Sequence, residues 1–487
     1  MRGRTISRES SSTYSRMATD EYEKLLDKDD SGRFQSMGLE GVNPPWTYSL
    51  PHVCVATISA LLFGYHVGVV NEPLETIAFD LGFGGNTLAE GLVVSMCLCG
   101  AFIGCLSSGY IADGIGRRRS FQLSALPMLI GGSVSATSKG LESMIIGRFL
   151  VGLGMGLGPP VTSLYVTEVS PSFVRGTYGS FVQIATCLGL IGAFLIGIPT
   201  KEIYGWWRIC FWVSAIPAAL LALGMEFCAE SPHWLYKKGR CGEAEAELER
   251  LLGASHVKSA VTELSRTERE GTETVRMSEL IYGRHFRVVF IGSTIFALQQ
   301  LSGINAVFYF SSAVFKTAGV PTSVANMCVG FSNISGSIIA MLLMDKLGRK
   351  LLLLGSFLGM ALSMGLQVLA ASLHANSVSL YLSVGGMLMF VFTFALGAGP
   401  VPCLLLPEIF PNRIRAKAMA VCMSVHWVVN FFVGLLFLRL LEQLGPRLLY
   451  MIFATFCLIA VAFVKNNVIE TKGKSLQEIE IALLPPE

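Results

Sequence analysis

The chain has 487 residues, 52% of them hydrophobic and 15% charged, with a net charge of +3 and a mean hydropathy of +0.57. A soluble domain carries about 25% charged residues, so this composition excludes an ordinary water-soluble enzyme and calls for a nonaqueous solvent. Nucleic acid is excluded as a partner because there is no basic groove-binding helix and no zinc-ligand spacing.

Residues 1–46 are polar, rich in Ser, Arg and acids, and read as a disordered cytosolic segment. They lack the apolar core of a secretory signal, and Asp20, Glu21, Glu23, Asp27, Asp29 and Asp30 are out of place in a plastid transit peptide. Glu21 to Leu26 (EYEKLL) has the form of an acidic dileucine sorting signal, a pattern short enough to arise by chance.

From residue 50 onward come apolar stretches of the length that crosses the hydrocarbon layer. They lie near 52–72, 88–110, 120–137, 142–166, 176–197, 206–226, 286–312, 322–343, 351–371, 379–405, 413–438 and 445–464. Backbone polar groups must be satisfied inside lipid, and strands of a barrel need only about ten residues. The prediction is therefore an all-α membrane protein of twelve transmembrane helices. An N-terminal six-helix half (47–226) and a C-terminal one (286–464) flank a charged cytosolic linker (227–285) and precede a cytosolic tail (465–487). Within the linker, EAEAELERLL (Glu243–Leu252) reads as a short amphipathic helix. Arg117 to Arg119, Arg175, Lys237, Lys238, Arg240, Lys346, Arg349, Lys350, Arg413, Arg415 and Lys417 all fall on one side, which places both termini in the cytosol. The cysteines lie mostly in apolar runs (Cys97, Cys99, Cys105, Cys187, Cys328, Cys422) and read as small packing residues. With no nucleophile elbow, phosphate loop or metal cluster, neither enzyme chemistry nor a cofactor is expected. The one N-x-S/T match, at Asn333, falls within a span, out of reach of glycosylation.

The halves repeat each other. GYIADGIGRR (Gly109–Arg118) returns as MLLMDKLGRK (Met341–Lys350), offset by 232 residues, while Glu168, Arg175 and Glu230 return as Glu408, Arg415 and Glu470, offset by 240. Two parallel six-helix repeats describe the major facilitator architecture, with the substrate near the bilayer midplane and access alternating as the halves rock. Asp113, Arg117, Glu168, Arg175, Glu230, Asp345, Arg349, Glu408 and Arg415 form a candidate cytosolic gate network that could latch the halves in the outward-facing state. The basic members also fix topology, but acids contribute little to it. The glycines of span four (Gly147, Gly152, Gly154, Gly156, Gly158) suit close helix packing.

Gln183, Gln299, Gln300, Asn305 and Asn333 are amides inside membrane spans. An amide offers a donor and an acceptor together, which matches a sugar hydroxyl, and a charge would cost more to desolvate. Each could equally serve as interhelical glue. The motifs GYIADGIGRRR, GRFLVGLGMG, YVTEVSPSFVRGTYG, AESPHWLYKKGR, QQLSGINAVFYFSS, MDKLGRK, PEIFPNRIRAKA and IETKGKSLQEIE, spread over residues 50–487, resemble the sugar porter family of the major facilitator superfamily. FGYHVGVVNEPLE (Phe63–Glu75) is similar to its plant plastidic glucose transporter-like branch. The resemblance implies that the five amides hydrogen-bond sugar and that Asn71 and Trp427 lie at or near the site. It also implies that Tyr309 and Phe310 close the outer gate as span seven bends at Gly303. Cys403, Ala395 and His426 depart from the family pattern, where Trp, Glu and an amide are common, so the site is differently polar.

Proton-coupled relatives carry Asp where His66 stands, facing the arginine that matches Arg148. Without that carboxylate, facilitated diffusion is the expectation, and His66 reads as a neutral packing residue. His66 and Arg148 remain a candidate coupling pair, since histidine titrates near neutral pH. The alternatives are a proton-coupled sugar or polyol symporter and a non-transporting sugar sensor, although the tail is shorter than sensors usually carry. The expected substrate is a hexose, glucose first, handled by a monomer with no cofactor. The resemblance suggests the plastid envelope, and the acidic N-terminus suits a Golgi or vacuolar membrane.

Overall fold

A computed structural model describes residues 44 to 478 apart from 172, 202, 271–282, 284, 318, 320, 374–376, 412–413, 473 and 475–477. EYEKLL lies outside the described residues, as does Arg413.

The described residues form twelve spans. Spans one to five are Leu50–Gly68, Thr87–Ile115, Arg117–Ala136, Leu141–Val169 and Arg175–Ile196, and span six is built of Trp206–Val213 and Ala215–Gly224. Span seven is broken into Phe286–Leu301 and Ile304–Thr317, followed by span eight (Thr322–Leu347) and span nine (Arg349–Ser372). Span ten runs through Ser377–Thr393, a π-helical turn at Phe394–Ala398, and Pro400–Ile409. Spans eleven and twelve lie in one helical run, Arg415–Asn467, broken at Gly445. Its φ of +75° and ψ of +163° suit only glycine, and Pro446 follows at the first position of the new helix, where its missing N–H costs nothing.

Leu106, Leu126, Ile216, Leu223, Phe331, Leu362 and Leu458 are exposed. On a soluble protein this band would be an aggregation surface; here it faces lipid. Span three falls short of the apolarity of a helix that crosses lipid alone. It begins with three arginines, and Ser120, Ser124 and Ser135 are buried against its neighbours, so it is held by its packing on span four.

Span four is the hub of the first half. A Cβ on Gly156 would strike the backbone of Ala101 in span two, and one on Gly154 would strike Ser124 of span three. The glycines therefore let two backbones approach from two sides. The linker helices Pro232–Lys237, Cys241–Leu252 and Val257–Glu270 bury a small core of their own around Trp234, Leu235, Leu248, Val261 and Leu264. The predicted amphipathic helix is Cys241–Leu252: Ala244, Leu248 and Leu251 are its buried stripe.

Candidate functional site

Span seven breaks because Gly303 sits at φ +86°, and a Cβ there would come within 2.7 Å of the Phe453 ring. The break presents both walls of an amide cluster. Gln299 and Gln300 close the first helix, and Asn305 opens the second. Asn305 Nδ2 donates to Gln300 Oε1 at 2.5 Å, and Gln300 Nε2 donates to Gln299 Oε1 at 3.2 Å. Gln300 Nε2 also lies 3.0 Å from His426 Nδ1. With the amide donating, the imidazole is neutral and carries its proton on Nε2.

Gln299 Nε2 donates to the carbonyl of Ala398 at 2.5 Å. In an α-helix that carbonyl would accept the N–H of residue 402, but residue 402 is proline. The prolines of span ten thus free a carbonyl, and the π turn, in which Gly399 N–H reaches back to Phe394 at 2.9 Å, carries it to span seven.

Aromatic rings surround this cluster. His426 meets Phe296 and Trp427 edge-on at 5.3 and 5.1 Å between centroids, and Phe63 of span one meets Trp427 at 6.2 Å. The Trp427 indole N–H is buried without a hydrogen bond of ordinary length, next to the weakly accepting Cys105 thiol. Across the halves, Gln183 Nε2 lies 3.5 Å from Ser337 Oγ and Asn333 Nδ2 lies 3.4 Å from Cys187 Sγ. The first contact is long and the second is to a weakly accepting thiol, which leaves both amides with capacity for another partner.

The sequence expectations map onto three levels. Gln299, Gln300 and Asn305 come together with His426, while Gln183 and Asn333 form a second group on spans five and eight. Asn71 lies past the end of span one and bonds across the halves: its Nδ2 donates to Phe308 O at 2.8 Å and Ser311 Oγ at 2.6 Å, and its Oδ1 accepts from Ser312 N at 2.9 Å. Tyr309 and Phe310 are buried at that same level. Asn430 Nδ2 donates to the Tyr309 hydroxyl at 3.2 Å, and Phe310 stacks on Phe437 at 5.2 Å. Asn430 is absent from the sequence expectations, yet it sits one turn beyond His426 on the same helix face, a spacing that points to it. Asn71, Tyr309 and Phe310 thus close the two halves against each other at one end of the helices.

His66 and Arg148 are both buried, but they meet only through the backbone. Arg148 Nη2 lies 3.5 Å from the His66 carbonyl and its Nε 3.3 Å from that of Val93, and both imidazole nitrogens lack partners.

At the end of the helices that carries the linker, Arg117 binds Glu168 through two parallel bonds of 2.8 Å and Asp113 at 3.2 Å. The Glu230 carboxylate accepts the Arg117 backbone N–H at 2.9 Å. The second half repeats this: Arg349 pairs with Glu408 at 3.2 Å, and Glu470 accepts the Arg349 N–H at 2.9 Å. Arg415 reaches the Phe410 carbonyl at 3.3 Å, and among the described residues neither it nor Arg175 joins an ion pair. Asp345 lies outside the described side chains. Every described ion pair of the network stays within one half.

The family model described as sugar (and other) transporter matches residues 52–483. The chain is 68% identical over 487 residues to "Probable plastidic glucose transporter 2" of Arabidopsis thaliana, covering 98% of this chain and 99% of that one. It is 46% identical to "Plastidic glucose transporter 4" of the same plant, covering 89% and 80%. Among solved structures, the inward open conformation of the xylose transporter XylE from E. coli superposes with a TM-score of 0.79 at 29% identity, covering 90% of this chain and all of that one.

Proposed function

The chain belongs to the sugar transporter family, and we propose that it carries a hexose, D-glucose first, across a membrane by alternating access and facilitated diffusion. The observation that carries this reading is the neutral amide and imidazole cluster of Gln299, Gln300, Asn305 and His426 at the break of span seven. It can exchange internal hydrogen bonds for sugar hydroxyls without moving a charge. Trp427 adds a donor and an apolar ring face, and Gln183 and Asn333 supply amides from the opposing spans.

In this mechanism the sugar leaves toward the cytosol in the state described here. Gly303 is the hinge on which the outer piece of span seven swings, taking Tyr309 and Phe310 away from Asn430 and Phe437. As the outer side opens, the cytosolic network exchanges part of its within-half bonding for contacts between Arg175, Arg415 and the acids of the opposite half. The plastidic glucose transporter relatives support a hexose substrate and a plastid location, and the carrier in this proposal is a monomer in the plastid envelope. A proton-coupled mode is the second reading, because XylE is described as a proton:xylose symporter. The His66 imidazole makes no bond to Arg148, which favours the uncoupled mode.

Counterflow in proteoliposomes tests the substrate. Preloaded D-glucose should accelerate labelled glucose entry, and polyols should not. Acceleration by polyols alone would overturn the hexose reading.

A further inference from the structure

The segment that follows span one carries two acids, Glu72 and Glu75, that the sugar site does not use. Glu75 pairs with Lys316 at 2.6 Å, but both are more than half exposed, and such pairs contribute little. Glu72 is different: its side chain is only 5% exposed. It pairs with Lys201, which follows the end of span five in the same half. Lys201 Nζ donates to Ser323 Oγ at 2.6 Å, and that hydroxyl donates to Glu72 Oε1 at 3.0 Å. Ser323 lies in the first turn of span eight, in the other half. The second carboxylate oxygen is buried without a hydrogen-bond partner, and a Cβ on Gly197 would come within 3.0 Å of it.

We propose that Glu72 and Lys201 form the charged centre of an outer latch, closed across the two halves by Ser323. The ion pair is internal to one half and survives rocking. The serine is not internal to it, so opening the outer side strips from the buried pair the hydroxyl that serves both its charges. Hydrogen bonds to charged groups are the strong ones, and losing this one biases the protein toward the outer-closed state by about tenfold or more. Asn71, next in the chain, reinforces the same closure with neutral bonds. The latch rests on the alternating-access reading above. A purely structural role would tie span one to span five and leave the balance between inward and outward states untouched.

The test uses Ser323→Ala, which leaves the ion pair intact, and Glu72→Gln, which keeps the shape and removes the charge. Hydrogen–deuterium exchange in lipid should rise at 69–80 and at the start of span eight, and fall at the cytosolic ends, which close as the outer side opens. In sided vesicles, glucose half-saturation from the outer face should fall relative to that from the inner face, by about tenfold for Ser323→Ala. Exchange that stays at the wild-type rate in both folded variants, or half-saturation that moves equally on both faces, overturns the latch. Wild-type protein without glucose flux, but with exchange raised by Ser323→Ala, would overturn the sugar reading and leave the latch standing.

Discussion

Glu230 and Glu470, 240 residues apart, cap two membrane helices in the same way, since each carboxylate accepts the first backbone N–H of its helix, from Arg117 and from Arg349, both at 2.9 Å. The first four N–H groups of a helix lack internal partners and carry partial positive charge. The two caps titrate in opposite senses. Burial pushes the Glu230 carboxyl up, offset only in part by the N–H groups of Ser231, Arg117 and Arg118. Burial also acts on Glu470, but four backbone N–H groups, from Lys472, Arg349, Lys350 and Thr471, outweigh it and hold that carboxyl low.

This predicts opposite pH profiles for two matched variants. A lowered folded pKa gives stability that is present above the unfolded value and lost as pH falls, and a raised one gives the reverse. Each Gln substitution should cost about 1 kcal/mol as a weakened cap. The penalty of Glu470→Gln should grow as pH rises through the carboxylate range, and that of Glu230→Gln should shrink. Thermal unfolding in detergent across that range measures both.

The two halves should differ in how they tolerate loss of the gate arginine. Arg117 and Glu168 have side chains 5% and 9% exposed, against 18% and 32% for Arg349 and Glu408. Arg117→Ala leaves a buried, uncompensated carboxylate, a loss of about 3–5 kcal/mol. Arg349→Ala should cost clearly less. Folded yield by size-exclusion chromatography and the unfolding temperature rank the two.

Gly303→Ala should destabilise the hinge by about 1–2 kcal/mol through its positive φ, before the contact with Phe453 is counted. The expected result is a lower unfolding temperature and slowed sugar counterflow together. A variant with wild-type values of both would remove the hinge from the mechanism.

His426→Gln should retain transport, because an amide can accept from Gln300 as the imidazole does, while His426→Leu should lower it. Losing one neutral hydrogen bond is worth about 1 kcal/mol, so the expected drop in transport efficiency is several-fold. Equal activity of the two variants would show that the imidazole is packing alone.

The twelve spans and the repeat are legible in the sequence because lipid forces long apolar helices and because duplication leaves its charges in register. Span three is legible as the stretch 120–137, although its buried serines make it the least apolar of the spans. The amides of spans five, seven and eight stand out because polar groups are costly in lipid. The joining of Gln299 to Ala398 was not legible: it depends on a carbonyl freed by Pro402 and displaced by a π turn, neither of which appears in a hydropathy pattern. His426 reads from the sequence as a departure, and only the fold puts it beside Gln300. The outer contacts of Glu72 also escape the sequence, since they join segments 251 residues apart.

The most direct measurement is labelled glucose uptake into proteoliposomes, with and without an inward proton gradient, for wild type and Gln300→Ala. The account predicts saturable wild-type flux that ignores the gradient and falls about tenfold or more in the variant, in which Gln299, Asn305 and His426 each lose a partner. Uphill glucose accumulation driven by the gradient, or full flux in Gln300→Ala, would contradict it.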